Sequence, residues 1–169
     1  MHEDLLDQAA FLAAKDPKRP KQANLRRAVS SAYYALFHYL IDQACRELLG
    51  TQNDKRVYRH VLARAFDHGC MKEACVAFRD VSLPKKMAGA LPSAFAIPPE
   101  LQFVAETFVQ AQEKRHIADY DLSTRFARWD VAGFIHEVER AIATFESVTN
   151  VNSRQFFLVC LLTWRTLKR

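Results

Sequence analysis

The sequence predicts an all-α protein, an up-and-down bundle of five to six helices in a single domain over residues 1–169. The chain contains only four glycines and six prolines, too few for the frequent turns of a β-sandwich. Half of the residues are hydrophobic, which excludes a disordered chain. Their spacing follows the helical repeat, and no alternating strand pattern competes with it.

The first two predicted helices are separated by prolines. Residues 4–14 carry apolar side chains at helical spacing. Pro17 and Pro20 then end this helix, because proline disrupts a helix interior. A long helix follows over residues 22–49 and ends at Gly50, the residue type that most often stops a helix. Its apolar residues cover a wide arc, which is typical of a helix in the centre of a bundle.

The middle of the chain predicts a third helix and a loop. Residues 54–68 form the helix, Gly69 interrupts it, and residues 71–78 resume it. Residues 81–99 contain four prolines and predict a long loop. Loops of this length in compact domains are often functional.

Three more helices complete the prediction. Pro99 and Glu100 start the first and suit a helix N-terminus, and this helix runs to Tyr120. The next begins near Asp130, whose carboxylate is a candidate N-cap. The last, over residues 153–167, is apolar all round. It either completes the core or forms a dimer interface, and we expect a share of both.

Charge and motif content set limits on function. Lys and Arg number 24 against 19 Asp and Glu, and this net charge of +5 permits an anionic partner such as nucleic acid. The four cysteines lack the spacing of a zinc site, and no phosphate-binding or metalloprotease motif is present. No signal-peptide pattern or bilayer-length apolar run occurs. We therefore expect a cytoplasmic protein with reduced cysteines, no metal, no cofactor and no membrane association.

One group of chemistry-bearing side chains lies at the end of the helix that starts at Pro99. Its members are Arg115, His116, Asp119 and Tyr120. Arg115 and Asp119 stand one helical turn apart and can form an ion pair. An imidazole can take a proton from a ribose 2′-hydroxyl while a guanidinium holds the phosphate. The alternative is a structural network that fixes the helix end.

A polar stripe is predicted on the long helix. Its members recur at intervals of four, three and four residues: Arg27, Ser31, Tyr34 and His38. They share one face of the helix. We expect this stripe to approach Arg115 and Asp119, and the alternative is that hydrogen bonds within the stripe satisfy it.

The densest basic face belongs to the third predicted helix. It carries four residues: Arg56, Arg59, His60 and Arg64. A phosphate backbone can lie along such a face. A solvated surface with no partner is the alternative.

Two segments resemble motifs of small prokaryotic HEPN-domain proteins. Residues 25–38 read LRRAVSSAYYALFH, and residues 115–121 read RHIADYD, in the order found in that family. The resemblance covers about residues 22–148. It implies an up-and-down helical bundle, commonly a homodimer, with RNA as a possible ligand. It also implies a toxin–antitoxin or defence setting, in which a nucleotidyltransferase-like protein is a possible partner.

Active members of that family are metal-independent ribonucleases in which an arginine is followed at a short interval by a histidine. The resemblance assigns the arginine to Arg115, with His116 as its polar neighbour. Residues 120–122, where the histidine would fall, read Tyr-Asp-Leu, so His116 or His38 would act as the base. We expect a nucleic-acid- or nucleotide-linked binding or regulatory role. A metal-independent endoribonuclease and a non-catalytic scaffold are the alternatives.

Overall fold

The computed structural model describes residues 1–16, 18–91 and 95–168, so Pro17 and part of the loop predicted over 81–99 lie outside the described residues. The described chain is helical, with no strand, and contains eight α-helices. They are α1 (His2–Ala14), α2 (Gln22–Leu49), α3 (Arg56–Ala63), α4 (His68–Arg79), α5 (Lys85–Ala90), α6 (Pro99–Tyr120), α7 (Arg128–Ser147) and α8 (Val151–Leu167). The all-α prediction is confirmed, and the helices outnumber the five to six expected.

Both ends of the third helix differ from the prediction. A single 3₁₀ turn, Asn53–Lys55, precedes α3, and α3 ends at Ala63. Gly69 does not interrupt a helix but lies in the first turn of α4. That helix starts because Asp67 Oδ1 accepts a hydrogen bond from the backbone amide of Cys70 at 2.9 Å. The side-chain cap therefore divides what the sequence predicts as one helix.

Three further boundaries differ from the prediction. The loop expected over 81–99 contains the short helix α5. Helix α7 begins at Arg128, so Asp130 lies in its first turn and is not the N-cap. Helix α8 starts earlier than expected because Asn150 caps it, accepting a hydrogen bond from the amide of Ser153 at 3.0 Å.

Contacts divide the chain into two compact units. The first contains Met1–Tyr39 and Thr107–Ala143, and the second contains Leu40–Glu106 and Thr144–Arg169. Helices α2, α6 and α7 therefore contribute residues to both units. A single domain over the whole chain stays a prediction.

The core of the first unit is built around the buried ring of Tyr33 in α2. Its centroid lies 5.9 Å from that of Phe108 in α6 and 5.9 Å from that of Phe37. Val138 of α7 and Ala9 of α1 are also fully buried. Aromatic rings of this size supply much of the apolar area that a core buries. This packing holds α2 beside α6 within the unit and thereby positions the polar side chains of the site.

The core of the second unit joins α4 and α8 through aromatic side chains. The ring of Phe157 lies 4.8 Å from that of Phe78, measured between centroids. Leu158, Leu161 and Trp164 of the same helix are buried. Helix α8 therefore contributes to the core of this unit, and its expected share in a dimer interface stays a prediction.

All four cysteines are free and buried. Burial raises the pKa of Cys45 to about 11 and the pKa of Cys160 to about 12, so both thiols stay protonated at neutral pH.

Among the described helices, none is long and apolar enough to cross a membrane.

Candidate functional site

The side chains at the end of α6 are assembled against α2 within the first unit. Arg115 Nε lies 2.7 Å from Asp119 Oδ2, one turn further along α6. Arg115 Nη2 donates a hydrogen bond to Tyr34 Oη of α2 at 3.0 Å. The Arg115 and Asp119 side chains are 22% and 27% exposed. The ion pair is thus held by the fold but still open to solvent.

Two tyrosine rings lie against the guanidinium of Arg115. Its Cζ is 5.6 Å from the centroid of Tyr34 and 5.7 Å from that of Tyr120, within cation–π range. Burial opposes ionisation of Arg115, but the neighbouring tyrosine and carboxylate oxygens outweigh it and raise the pKa of the guanidinium. The positive charge is therefore permanent and fixed in position.

Asp119 connects the end of α6 to α2. Its Oδ1 accepts a hydrogen bond from Ser30 Oγ at 2.6 Å, while Oδ2 faces Arg115. Ser30 is only 1% exposed, so this hydroxyl depends on partners within the protein. The Asp119 carboxylate therefore contacts a side chain of α2 and a side chain of α6 at the same time.

Arg26 fixes the segment that follows α6. Its Nη1 donates to the carbonyl of Ala118 at 2.9 Å, and its Nη2 donates to the carbonyl of Thr124 at 2.5 Å. Neither Arg26 nor Ser30 is among the site residues that the sequence predicts. The signal that identifies them is spacing, since residues 26, 30 and 34 are four apart and share one face of α2.

The polar stripe predicted on α2 approaches α6 only in part. Tyr34 contacts Arg115, as expected. Ser31 instead donates a hydrogen bond to Gln8 Oε1 of α1 at 3.0 Å, and Arg27 is exposed. The expectation that these two residues approach the α6 group was wrong, because the face of α2 that meets α6 is centred one residue earlier.

His38, the last member of the predicted stripe, is linked to the site through Tyr34. The two rings stack with their centroids 6.0 Å apart and an interplanar angle of 25°. Burial lowers the pKa of His38 below its ordinary value of 6.5. The imidazole is therefore neutral at neutral pH and can accept a proton.

The lowered pKa of His38 leads us to expect a loss of stability in mild acid. Below pH 6.5 the unfolded chain binds a proton at this residue before the native state does. The free energy of unfolding should therefore fall as the pH drops through about 6.5, and continue to fall until native His38 is also protonated. Urea unfolding at a series of pH values measures this slope. His38→Gln should reduce this slope, and a slope equal to that of wild type would contradict the assignment.

An exposed aromatic pair lies beside the guanidinium. The rings of His116 and Tyr120 have centroids 4.9 Å apart, and Tyr120 is 65% exposed. Leu122, in the following turn, is 85% exposed. Aromatic rings presented in this way can stack on nucleobases. The four residues predicted as a cluster are thus brought together, with Asp119 facing inward and the aromatic pair at the surface.

Asp121, one of the positions where the resemblance would place a histidine, shapes the turn after α6. Its Oδ1 accepts from Ser123 Oγ at 2.6 Å, and its Oδ2 accepts from Thr124 Oγ1 at 2.6 Å. These hydrogen bonds hold the pKa of Asp121 far below its usual range. Asp121 therefore stays ionised, and its hydrogen bonds fix the turn that follows α6.

The basic face of α3, in the second unit, is present in part. Three of its four predicted members are exposed: Arg56, His60 and Arg64. Arg59 is turned away, and its Nη1 donates to the carbonyls of Gly50 at 2.7 Å and Gln52 at 3.0 Å. Arg59 therefore fixes the loop before α3, and only the other three side chains are open to an anionic ligand.

No protein-family model matches the chain, and comparison with curated proteins and with solved structures gives no match either. The HEPN resemblance therefore rests on the two sequence motifs alone.

Proposed function

We propose that this protein is a HEPN-like nucleic-acid-binding module of a bacterial toxin–antitoxin or defence system, with the surface of Arg115, His116 and Tyr120 as its binding site. The observation that carries the proposal is the position of Arg115. Its guanidinium is partly exposed, permanently charged and placed against a ring that is itself largely exposed.

The ligand class we propose is single-stranded RNA. A single strand offers the two groups that this surface is able to bind, a phosphate for the guanidinium and an unstacked base for the aromatic pair. Double-stranded RNA keeps its bases stacked on one another, so no base would be free to stack on the ring of Tyr120. Asp119 and Tyr34 hold Arg115 in place before the ligand arrives, which lowers the entropy lost on binding.

A metal-independent ribonuclease is the second candidate, and the position of His116 favours it. Its ring packs against the same tyrosine ring that contacts Arg115, so a base and a phosphate-binding group have a common neighbour. In that case purified protein cuts RNA in the presence of EDTA, and His116→Ala abolishes the cutting while RNA binding is weakened but persists. If RNAs of varied sequence all stay uncut, the ribonuclease candidate is wrong and only the binding function stays proposed.

Substitution of Tyr120 tests the binding proposal. Loss of one stacked base should weaken binding about tenfold, since such contacts contribute about 1–3 kcal/mol each. Fluorescence anisotropy with a labelled single-stranded RNA measures the dissociation constant of wild type and Tyr120→Ala. Tyr58→Ala is a matched control, because Tyr58 on α3 is 59% exposed. Wild-type affinity in Tyr120→Ala, or a loss only in Tyr58→Ala, would contradict the proposed site.

A further inference from the structure

An exposed tryptophan lies at the start of α7. Trp129, in the first turn of that helix, is 76% exposed. Leu122, in the turn between α6 and α7, is 85% exposed, and Tyr120 at the end of α6 is 65% exposed. Tryptophan is on average a strongly buried residue, because its ring carries a large apolar area. Three such side chains within ten residues indicate a surface that another molecule covers.

The fold places Trp129 and Tyr120 at the same end of two neighbouring helices. Helices α6 and α7 form an antiparallel pair joined by residues 121–127, and Lys114 Nζ of α6 lies 5.6 Å from the ring centroid of Phe134 of α7. From that contact toward the turn, Tyr120 lies about 9 Å further along α6 and Trp129 about 7.5 Å further along α7. Both exposed rings therefore lie at one end of the pair, on helices whose axes pack about 8–10 Å apart.

Hydrogen bonds fix the backbone on which Trp129 is presented. Gln22 Oε1 of α2 accepts from the amide of Phe126 at 2.8 Å, and Gln22 Nε2 donates to the carbonyl of the same residue at 2.9 Å. Arg128 Nη2 donates to the carbonyl of Asp16. These bonds hold the start of α7 on both sides of residue 127. An aromatic ring on a fixed backbone loses less entropy when it binds a ligand.

We propose that Trp129 stacks on a second base of the same RNA strand, so that the RNA runs from Arg115 over Tyr120 and across the turn to the start of α7. This inference rests on the proposed function and extends its site from one base to two. A stacked strand advances about 3.4 Å per nucleotide, so about three nucleotides cover the distance between packed helices. The ligand is therefore a single strand of at least about four nucleotides.

The charge beside Trp129 favours a base over a phosphate. Asp130 is the next residue and is exposed. Its carboxylate repels a phosphate but not an uncharged base. Trp129 therefore contributes stacking, while Arg115 contributes the phosphate contact. The two contributions can be separated, because only the phosphate contact changes the dependence of binding on salt.

The intrinsic fluorescence of the protein reports directly on Trp129. The chain has two tryptophans, and the other, Trp164 of α8, is only 5% exposed. A base stacked on an indole ring quenches its fluorescence. Single-stranded RNA should therefore quench the wild-type protein with the dissociation constant that anisotropy gives. Trp129→Phe should lose the quenching but keep the affinity within about twofold, because a phenyl ring still stacks on a base.

Trp129→Ala measures what the ring contributes to affinity. It should weaken binding of single-stranded RNA about tenfold and leave the slope of log K against log salt concentration as in wild type. Phe11→Ala is a matched control that should bind like wild type, because Phe11 is a 63% exposed aromatic residue of α1 in the same unit. Circular dichroism verifies that each variant is folded, and sedimentation velocity compares its oligomeric state with that of wild type.

The inference is wrong if RNA that anisotropy shows to be bound leaves the tryptophan fluorescence unchanged, or if Trp129→Phe loses as much affinity as Trp129→Ala. It is also wrong if Trp129→Ala changes the oligomeric state, because the ring then covers a protein interface. Binding that depends on Tyr120 but not on Trp129 rejects this inference alone. A wild-type chain that binds no single-stranded RNA rejects the proposed function and this inference with it.

Discussion

Replacement of Asp119 by alanine should lower the free energy of unfolding by about 2–3 kcal/mol. Hydrogen bonds to charged groups contribute about 1.5–3 kcal/mol, and breaking a fully buried ion pair costs about 3–5 kcal/mol. Asp119 accepts from the buried Ser30 hydroxyl and pairs with Arg115, but about a quarter of its side chain is exposed. Water can therefore replace part of what is lost, so the expected effect stays below the cost of breaking a fully buried ion pair.

Urea denaturation followed by circular dichroism measures the effect of Asp119→Ala. Glu137→Ala in α7 is a suitable control, because Glu137 is exposed, and such a change should stay within about 0.5 kcal/mol. Asp119→Asn should fall between the two, since the amide oxygen still accepts from Ser30 but carries no charge. A loss no larger than that of the control would show that Asp119 does not hold α6 to α2.

Arg115→Ala should weaken binding of single-stranded RNA at least tenfold, about 1.4 kcal/mol or more. The guanidinium is the cation that the site presents to phosphate, so its loss should also reduce the salt dependence. Each phosphate contact on a single strand contributes about −0.7 to the slope of log K against log salt concentration. Arg115→Lys should restore that slope but not the full affinity, because an ammonium cannot make the paired contacts of a guanidinium.

Arg115→Ala must be separated from a purely structural effect. Removal of the Arg115 side chain leaves Asp119 hydrogen-bonded to Ser30 and partly hydrated. The variant should therefore stay folded in the absence of denaturant. Arg125→Ala removes an exposed arginine near the same turn and serves as the control for net charge. If folded Arg115→Ala binds RNA as tightly as wild type, the Arg115 group is a structural network and the proposed site is wrong.

The long helices could be predicted because strong local signals mark their ends. Helix α2 ends where expected, and Gly50 adopts the left-handed conformation that a helix stop requires, with φ of 81°. Helix α6 starts where expected, at Pro99. These signals come from residues adjacent in sequence to the helix end, and tertiary contacts do not override them.

Gly69 shows why the shorter helices were harder to predict. A glycine inside a helical pattern reads as an interruption, yet here it lies within α4. A β-carbon at this position would lie 2.7 Å from Arg165 Nη2, and that guanidinium pairs with Asp67 at 3.1 Å. The glycine therefore lies beside the end of a side chain almost a hundred residues away, a contact that the sequence alone does not reveal.

The site was predictable where it depends on one helix and not where it depends on two. The pairing of Arg115 with Asp119 follows from their spacing on α6. Which face of α2 meets α6 is set by the packing of Tyr33 against Phe108, so the predicted stripe was displaced by one residue. The hydrogen bond that Ser31 donates to α1 likewise depends on where that helix packs.

Photo-crosslinking tests the central claim most directly, because it reports which residues touch the ligand. Single-stranded RNA containing 4-thiouridine is crosslinked to the full-length protein in EDTA, and the tryptic peptides are identified by mass spectrometry. The account predicts crosslinks on the peptide of residues 116–125, which contains His116 and Tyr120. Crosslinks confined to residues 57–64, in and directly after α3, or none at RNA concentrations that saturate binding, would contradict it.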